Sequence, residues 1–246
     1  MKSVIIIGAT SAIAGACARL WAARGSSFFL VGRDAEKLDA LSHDLRVRGA
    51  SAAHPFVMDA NDVAAHAAMV AAAVQALGRL DIVLIAHGTL PDQPVCEADT
   101  ATAVREFMSN GLSAIALLTV LANELERQRS GAIGVITSVA GDRGRPSNYL
   151  YGSAKAAVSV FSDGLRARLF KAGVSLTDIR PGFVATPMTQ GLALPALLVA
   201  RPETVAKRIV TGIERQRDVL YAPAFWSVVM WGIRSIPRAV FHRMHL

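Results

Sequence analysis

The chain has 246 residues, of which 52% are hydrophobic and 18% charged, with a formal net charge of +7. That balance excludes a disordered chain and allows one large α/β domain with a substantial core. The basic residues are spread and no nucleic-acid motif is visible, so the charge suits phosphate-bearing ligands or an anionic lipid surface and no nucleic-acid partner is expected.

There is no solenoid repeat or low-complexity tract. Cys17 and Cys96 form neither a disulfide framework nor a metal spacing, and are read as reduced, buried and non-ligating. The chain opens almost directly on an apolar strand, without a basic leader. No uninterrupted apolar run reaches the ~20 residues that span a bilayer, so the body is expected to be cytoplasmic.

Taken in order, Ser3–Ile7 is an apolar run of the kind found in a central parallel strand. It leads into Gly8-Ala-Thr-Ser-Ala-Ile-Ala-Gly15 and a helix to about Arg24. A strand, a turn of small residues and a helix N-terminus together suit a pyrophosphate. The backbone N–H groups and the helix dipole face the anion, and small side chains let it approach. The expected contacts are Gly8, Thr10, Ser11, Ala12 and Ile13.

A second strand over 28–31 ends in Gly32-Arg33-Asp34. The ribose of the adenosine half of a dinucleotide lies at this strand end. An acidic residue there would bind the 2′-hydroxyl of NAD. Arg33 instead offers a guanidinium fork to a 2′-phosphate, which points to NADP(H), and Asp34 is placed to cap the helix that follows.

Residues 35–48 are amphipathic, and a third strand over 52–58 is closed by Asp59, whose carboxylate suits the adenine amino group. A helix is expected over 62–77 and a very apolar strand over 81–86, ending in Ala86-His87-Gly88. His87 is read as a wall of the cofactor pocket rather than a base. One long helix is expected over 102–129. Asn110 lies inside it, where an amide is mildly unfavourable and can distort the helix and hold a water.

Residues 133–137 read as a buried strand with Ser138 at its end. A polar loop through Asp142, Arg143 and Pro146 precedes a helix carrying Tyr151 and Lys155, which share one face. A phenol normally titrates near ~10, and a nearby ammonium lowers that value. Such a pair beside a hydroxyl can exchange a proton with a carbonyl or alcohol. Arg143 and Arg145 are placed either to meet a substrate phosphate or to be solvated.

A sixth strand over 175–179 is closed by Pro181 and Gly182. Val184 and Thr186 follow it, Thr186 facing the carboxamide of a nicotinamide. Residues 189–199 have the composition of a mobile lid. A helix from Pro202 to about Gln216 and a strand at Val219–Ala222 complete the series. Strict alternation of strand and helix predicts a doubly wound, Rossmann-type parallel sheet with helices on both faces over 1–222, plus a helical tail over 223–246. Gly8, Arg33, Asp59, Gly88, Ser138 and Pro181 all fall at carboxyl ends of strands, where ligands bind such sheets.

On these motifs the chain resembles the short-chain dehydrogenase/reductase family. The family's Thr-Gly-x-x-x-Gly-x-Gly turn maps onto Ile7, Gly8, Ala12 and Ala14, keeping only the first glycine. Its Asn-Asn-Ala-Gly becomes Ile85-Ala86-His87-Gly88. The tetrad maps as Asn110, Ser138, Tyr151 and Lys155, with the serine and tyrosine thirteen residues apart. The Pro-Gly-x-x-x-Thr pattern fits Pro181, Gly182 and Thr186.

The resemblance implies that Tyr151 is the general acid and that Ser138 polarises the carbonyl. It also implies that Lys155 lowers the tyrosine pKa and holds the nicotinamide ribose, while Asn110 positions a relay water. It further implies a homo-oligomer, a dimer or tetramer, built on the helices that carry Asn110 and Tyr151.

More narrowly, the stretch Ser138-Val-Ala-Gly-Asp-Arg-Gly-Arg-Pro-Ser-Asn-Tyr149 and two tail segments, residues 221–226 and 236–241, are similar to decaprenylphosphoryl-2-keto-ribose reductases. That implies a lipid-linked keto-sugar as substrate. A soluble ketone such as a 3-oxoacyl thioester and a non-catalytic NADP-binding sensor remain alternatives.

The tail carries Trp226, Trp231, Ile233, Ile236, Val240 and Phe241, with Arg234, Arg238, His242 and His245 recurring at helical spacing. Pro237 should divide it into two short helices. Aromatic residues interleaved with arginine suit either an interfacial helix on anionic lipid at the inner face of a membrane, or packing on protein.

Overall fold

In the computed structural model, which describes residues 1–244, each expected apolar run is a strand. The strands are β1 (Ser3–Ile7), β2 (Ser27–Gly32), β3 (Ala52–Val57), β4 (Ile82–Ile85), β5 (Gly131–Ile136), β6 (Val174–Pro181) and β7 (Val219–Ala222). They pair in parallel in the order β3-β2-β1-β4-β5-β6-β7.

The alternation of β1 feeds two core layers. Val4 and Ile6 pack on one face with α1 (Ala12–Ala22), α2 (Ala35–Val47) and α8 (Pro202–Glu214). Ile5 and Ile7 pack on the other face with α3 (His66–Leu77), α6 (Ser113–Gln128) and α7 (Tyr149–Phe170). A strand buried on both sides has no polar face, which is why β1 and β4 read as unbroken apolar runs. The chain winds outward from β1 to β3 and then returns to β4, so a crevice opens above the β1 and β4 ends.

The expected single helix over 102–129 is in fact interrupted. Asp99 caps α5 (Thr100–Phe107) by accepting from the amides of Ala101 and Thr102. A π-helical turn, Met108–Leu112, then carries Asn110 before α6 begins. The expected distortion at Asn110 is therefore present. A further short helix, α4 (Gln93–Ala98), has no periodic signal, being too short to show one. The helix expected over 62–77 opens with a 3₁₀ turn, Val63–Ala65.

The stretch Thr100–Gln128 is long and apolar enough to cross a membrane by length and composition alone. Its Leu117, Leu118, Leu121 and Leu125 are nevertheless fully buried against the sheet, as in a core helix. Pro237 divides the tail as expected, into α9 (Trp226–Ser235) and α10 (Arg238–Phe241). The end of the predicted basic stripe, His245, lies outside the described residues.

Candidate active site

Two residues after β5, Ser138 caps the 3₁₀ turn Val139–Asp142, its hydroxyl oxygen accepting from Ala140 N at 3.1 Å. That turn lies directly on the start of α7 because glycine stands at both sides of the contact. A Cβ on Gly141 would sit 2.9 Å from Ala156 N, and one on Gly152 only 2.7 Å from the Ala140 carbonyl oxygen. The approach brings Ser138 into hydrogen bond with the Tyr151 hydroxyl. One turn further along α7, the Lys155 Nζ lies 5.7 Å from the centre of the Tyr151 ring and donates to the Ile136 carbonyl at 3.3 Å.

Burial governs the electrostatics of this group. Desolvation pushes the Lys155 ammonium down to about 8, opposed by the carboxylate of Asp178. Desolvation also pushes the Tyr151 phenol up to about 12, opposed by the Ser138 hydrogen bond. The expectation that Lys155 lowers the phenol below its ordinary value is thus corrected: loss of water around a group that would become charged raises it, and the opposing influence comes from Ser138. Tyr151 is accordingly a protonated donor at neutral pH.

Asn110 reaches the same place from the π turn. Its Oδ1 accepts from Thr89 N at 2.9 Å, while its Nδ2 donates to Thr89 Oγ1 at 2.8 Å and to the Glu106 carbonyl at 3.1 Å. Gly88, at φ +155°, separates this amide from Lys155. A Cβ there would lie 2.9 Å from Asn110 Oδ1 and 3.4 Å from Lys155 Nζ. The amide is thus held by Thr89 and Glu106, and the relay water expected of it is not what fixes its position.

His87 borders the crevice. Gly8, at φ +78°, packs so closely on it that a Cβ would sit 2.5 Å from His87 N. His87 Nε2 pairs with Ser113 Oγ at 2.9 Å, and that hydroxyl itself donates to the Ser109 carbonyl at 3.0 Å. A hydroxyl has one proton, so the imidazole donates from Nε2 and Nδ1 is an acceptor. Nδ1 is buried and has no partner among the described residues. Burial, with Lys155 nearby, holds the imidazolium pKa down to about 3, so the ring is neutral and unsuited to act as a base near pH 7.

The strand ends form a cradle that fits a dinucleotide. Ser11 caps α1 by accepting from Ala14 N at 3.4 Å, no acidic residue stands in the first turn, and Ala12 and Ile13 open the helix. Arg33 is exposed, its guanidinium 4.0 Å from Asp59. Asp34 caps α2 through Lys37 N at 3.1 Å and pairs with Lys37 Nζ at 2.9 Å. Asp59 accepts from Asn61 N at 2.9 Å.

On the far side, Pro181 ends β6 and the Trp226 indole lies against Gly182. Val184 bridges to Ala200, closing the base of the segment that holds Thr186. The Thr186 Oγ1 stands 3.4 Å from Thr189 Oγ1. Within the expected lid, Leu198 is seated on a small apolar cluster of Val139, Trp226 and Met230.

Arg143, read as a possible phosphate ligand, turns away from the site. Its guanidinium donates to the carbonyls of Ile233, Arg234 and Ile236 and stacks 3.7 Å above the Phe241 ring. Arg145 stays half-buried in the same loop, its Nε without a partner and its pKa lowered by burial.

Sequence reasoning assigned no role to Asp178 or Arg180, and read Trp226 as a residue of the tail only. Asp178 is fully buried, accepts from Thr137 Oγ1 at 2.5 Å and pairs with Arg180 at 2.7 Å. Arg180 also pairs with Asp142 at 2.9 Å, and Tyr221 donates to Asp142 at 2.7 Å. A carboxylate in the middle of a buried strand was the available signal.

The short chain dehydrogenase family model matches residues 2–195. An uncharacterised oxidoreductase of Mycobacterium tuberculosis is 38% identical over 98% of this chain and 96% of its own length. Another from Streptomyces coelicolor is 34% identical over 99% and 96%. The crystal structure of levodione reductase has the same fold, with a TM-score of 0.82 at 21% identity, covering 92% of this chain and 98% of that one. Similarity over nearly the whole length, on a parallel sheet whose strand ends cradle a dinucleotide, places this chain in the short-chain dehydrogenase family, as an oxidoreductase that uses a nicotinamide dinucleotide.

Proposed function

We propose that the protein reduces a ketone to a secondary alcohol with NADP(H). The observation that carries this reading is the protonated Tyr151, hydrogen-bonded to Ser138 and beside the buried Lys155. The dinucleotide supplies the hydride when bound. Ser138 and Tyr151 together grip the carbonyl oxygen, and Tyr151 delivers the proton as charge develops there. Lys155 then favours the phenolate left behind and orients the ribose, while Asn110 fixes the floor beneath Gly88.

Arg33, exposed and only loosely paired to Asp59, supports a 2′-phosphate and hence NADP(H) over NAD(H). Asp59 would hold the adenine, and Ala86, His87, Gly88, Pro181, Gly182, Val184 and Thr186 would hold the nicotinamide.

The wall beside Ser138 is apolar, built from Val139, Phe183, Leu198, Trp226 and Met230. It supports a ketone with an apolar flank, of which a polyprenyl-phosphate-linked keto-sugar is the form the sequence resemblance favours. Exposed Val104, Leu112 and Val160 on and beside α5, α6 and α7 support a homo-oligomer built on those helices.

The test is NADPH consumption with a lipid-linked keto-pentose in detergent, set beside a soluble 3-oxoacyl thioester. Tyr151→Phe should lose on the order of 10²–10⁴-fold in turnover while still binding cofactor. Retained turnover would refute the assignment. Arg33→Ala should weaken NADPH binding about 10- to 100-fold and leave NADH unaffected. Turnover of the thioester alone would move the substrate to soluble ketones.

A further inference from the structure

The last acidic residue in the sequence is Asp218, so the side chains of α9 and α10 carry positive charge only, at Arg234 and Arg238, with Arg243 just beyond α10. This hairpin is not a loose tail. Trp226, Met230 and Phe241 are buried, and Arg143 ties the end of α9 to the loop that precedes Tyr151. Helical spacing then leaves a definite outer face. Val228 is 69% exposed, Trp231 72% and Val240 53%. Arg234 stands between these apolar side chains and a cavity of about 690 Å³, lined also by Arg238, His242, Ile236 and Phe241. On its other side Arg234 shares a second hollow with Trp231.

We propose that α9 and α10 form a docking surface for an anionic lipid bilayer. Val228, Trp231 and Val240 enter the interface and a lipid phosphate is held among Arg234, Arg238 and His242. The chemistry is that of an interfacial helix: apolar and aromatic side chains beside arginines, while Asp142, the one carboxylate among the residues lining the cavity, is already paired with Arg180 at 2.9 Å. A second copy of the chain fits this face poorly. A two-fold contact would lay the patch on itself and set arginines against arginines. The surface is independent of which ketone is reduced. It would nevertheless hold the loop carrying Arg145, and so the mouth of the site, close to the bilayer.

The experiment is co-sedimentation of the full chain with vesicles of phosphatidylglycerol and phosphatidylcholine, and with phosphatidylcholine alone. Binding is expected only to the anionic vesicles and should fall with added salt. Each of Arg234→Gln and Arg238→Gln should weaken it about fivefold. Trp21 and Trp226 are buried, so a blue shift of emission, quenched by brominated lipid, reports Trp231 and should vanish in Trp231→Phe. An unchanged melting temperature in Trp231→Ser serves as the control for folding. Equal sedimentation with both vesicle types, or conversion of a dimer to a monomer by Trp231→Ser, would overturn the proposal.

Discussion

Lys155 illustrates how a single charge is set by its surroundings. It is 4% exposed, on α7, and faces Asp178 from β6, the Tyr151 ring on its own helix, Asn110 across Gly88 and the neutral His87. Burial holds its pKa near about 8, and the Asp178 carboxylate is what keeps it from falling further. Tyr151 remains protonated to about 12. The reductive rate should therefore hold through neutral pH and fall about tenfold per unit once pH rises past the lysine value, because the ammonium and not the phenol is lost there. Removing the carboxylate in Asp178→Asn disfavours the ammonium, so the alkaline limb of kcat/KM should move to lower pH. A limb that stays in place would show that Asp178 does not act on Lys155.

At the scale of elements, the catalytic geometry rests on how closely the turn after Ser138 approaches α7. Both Gly141 and Gly152 sit where a methyl group would press on the opposite backbone. Gly152→Ala should cost about 1–3 kcal/mol of stability through overpacking. By moving the turn off α7 it should also lower kcat more than it raises KM. Gly144 lies in the same loop with nothing within 4 Å of its would-be Cβ, so Gly144→Ala should change neither quantity. Thermal melts with steady-state kinetics on the two variants separate a close packing requirement from general loop sensitivity. The π turn follows the same logic: Gly111 meets Ala154 of α7 and thereby sets Asn110 beside Lys155.

Across the whole molecule, one ionic chain joins parts of the sequence that are far apart. Asp178 and Arg180 on β6, Asp142 at the end of the Ser138 turn and Tyr221 on β7 form a nearly buried network. The side chains of Asp178, Asp142 and Arg180 are 0%, 2% and 13% exposed, so solvent does little to screen them. Arg180→Ala would leave the buried Asp142 carboxylate without a cation and Asp178 with Lys155 alone, and should lower stability by about 3–5 kcal/mol in urea unfolding. A loss within the range of an exposed ion pair, about 1 kcal/mol or less, would contradict this placement. The Arg143 clamp extends the same bracing to the tail, which becomes part of the catalytic loop's support.

The sequence alone determined the features with a local signature. Short unbroken apolar runs, alternating with helical stretches, implied a parallel sheet. Chain punctuation put Gly8, Arg33, Ser138 and Pro181 at strand ends, and a four-residue spacing put Tyr151 and Lys155 on one helix face. Such patterns survive in one dimension because backbone geometry repeats them.

Only the tertiary structure decided the rest. The approach of Gly141 to α7, the pairing of Asp178 with Arg180 and its field at Lys155, and the turn of Arg143 towards Phe241 rather than substrate join residues whose separation leaves no periodic trace. The phenol's upward shift belongs with them, because it depends on how much water the fold removes around Tyr151, and neighbouring residues in the chain do not determine that.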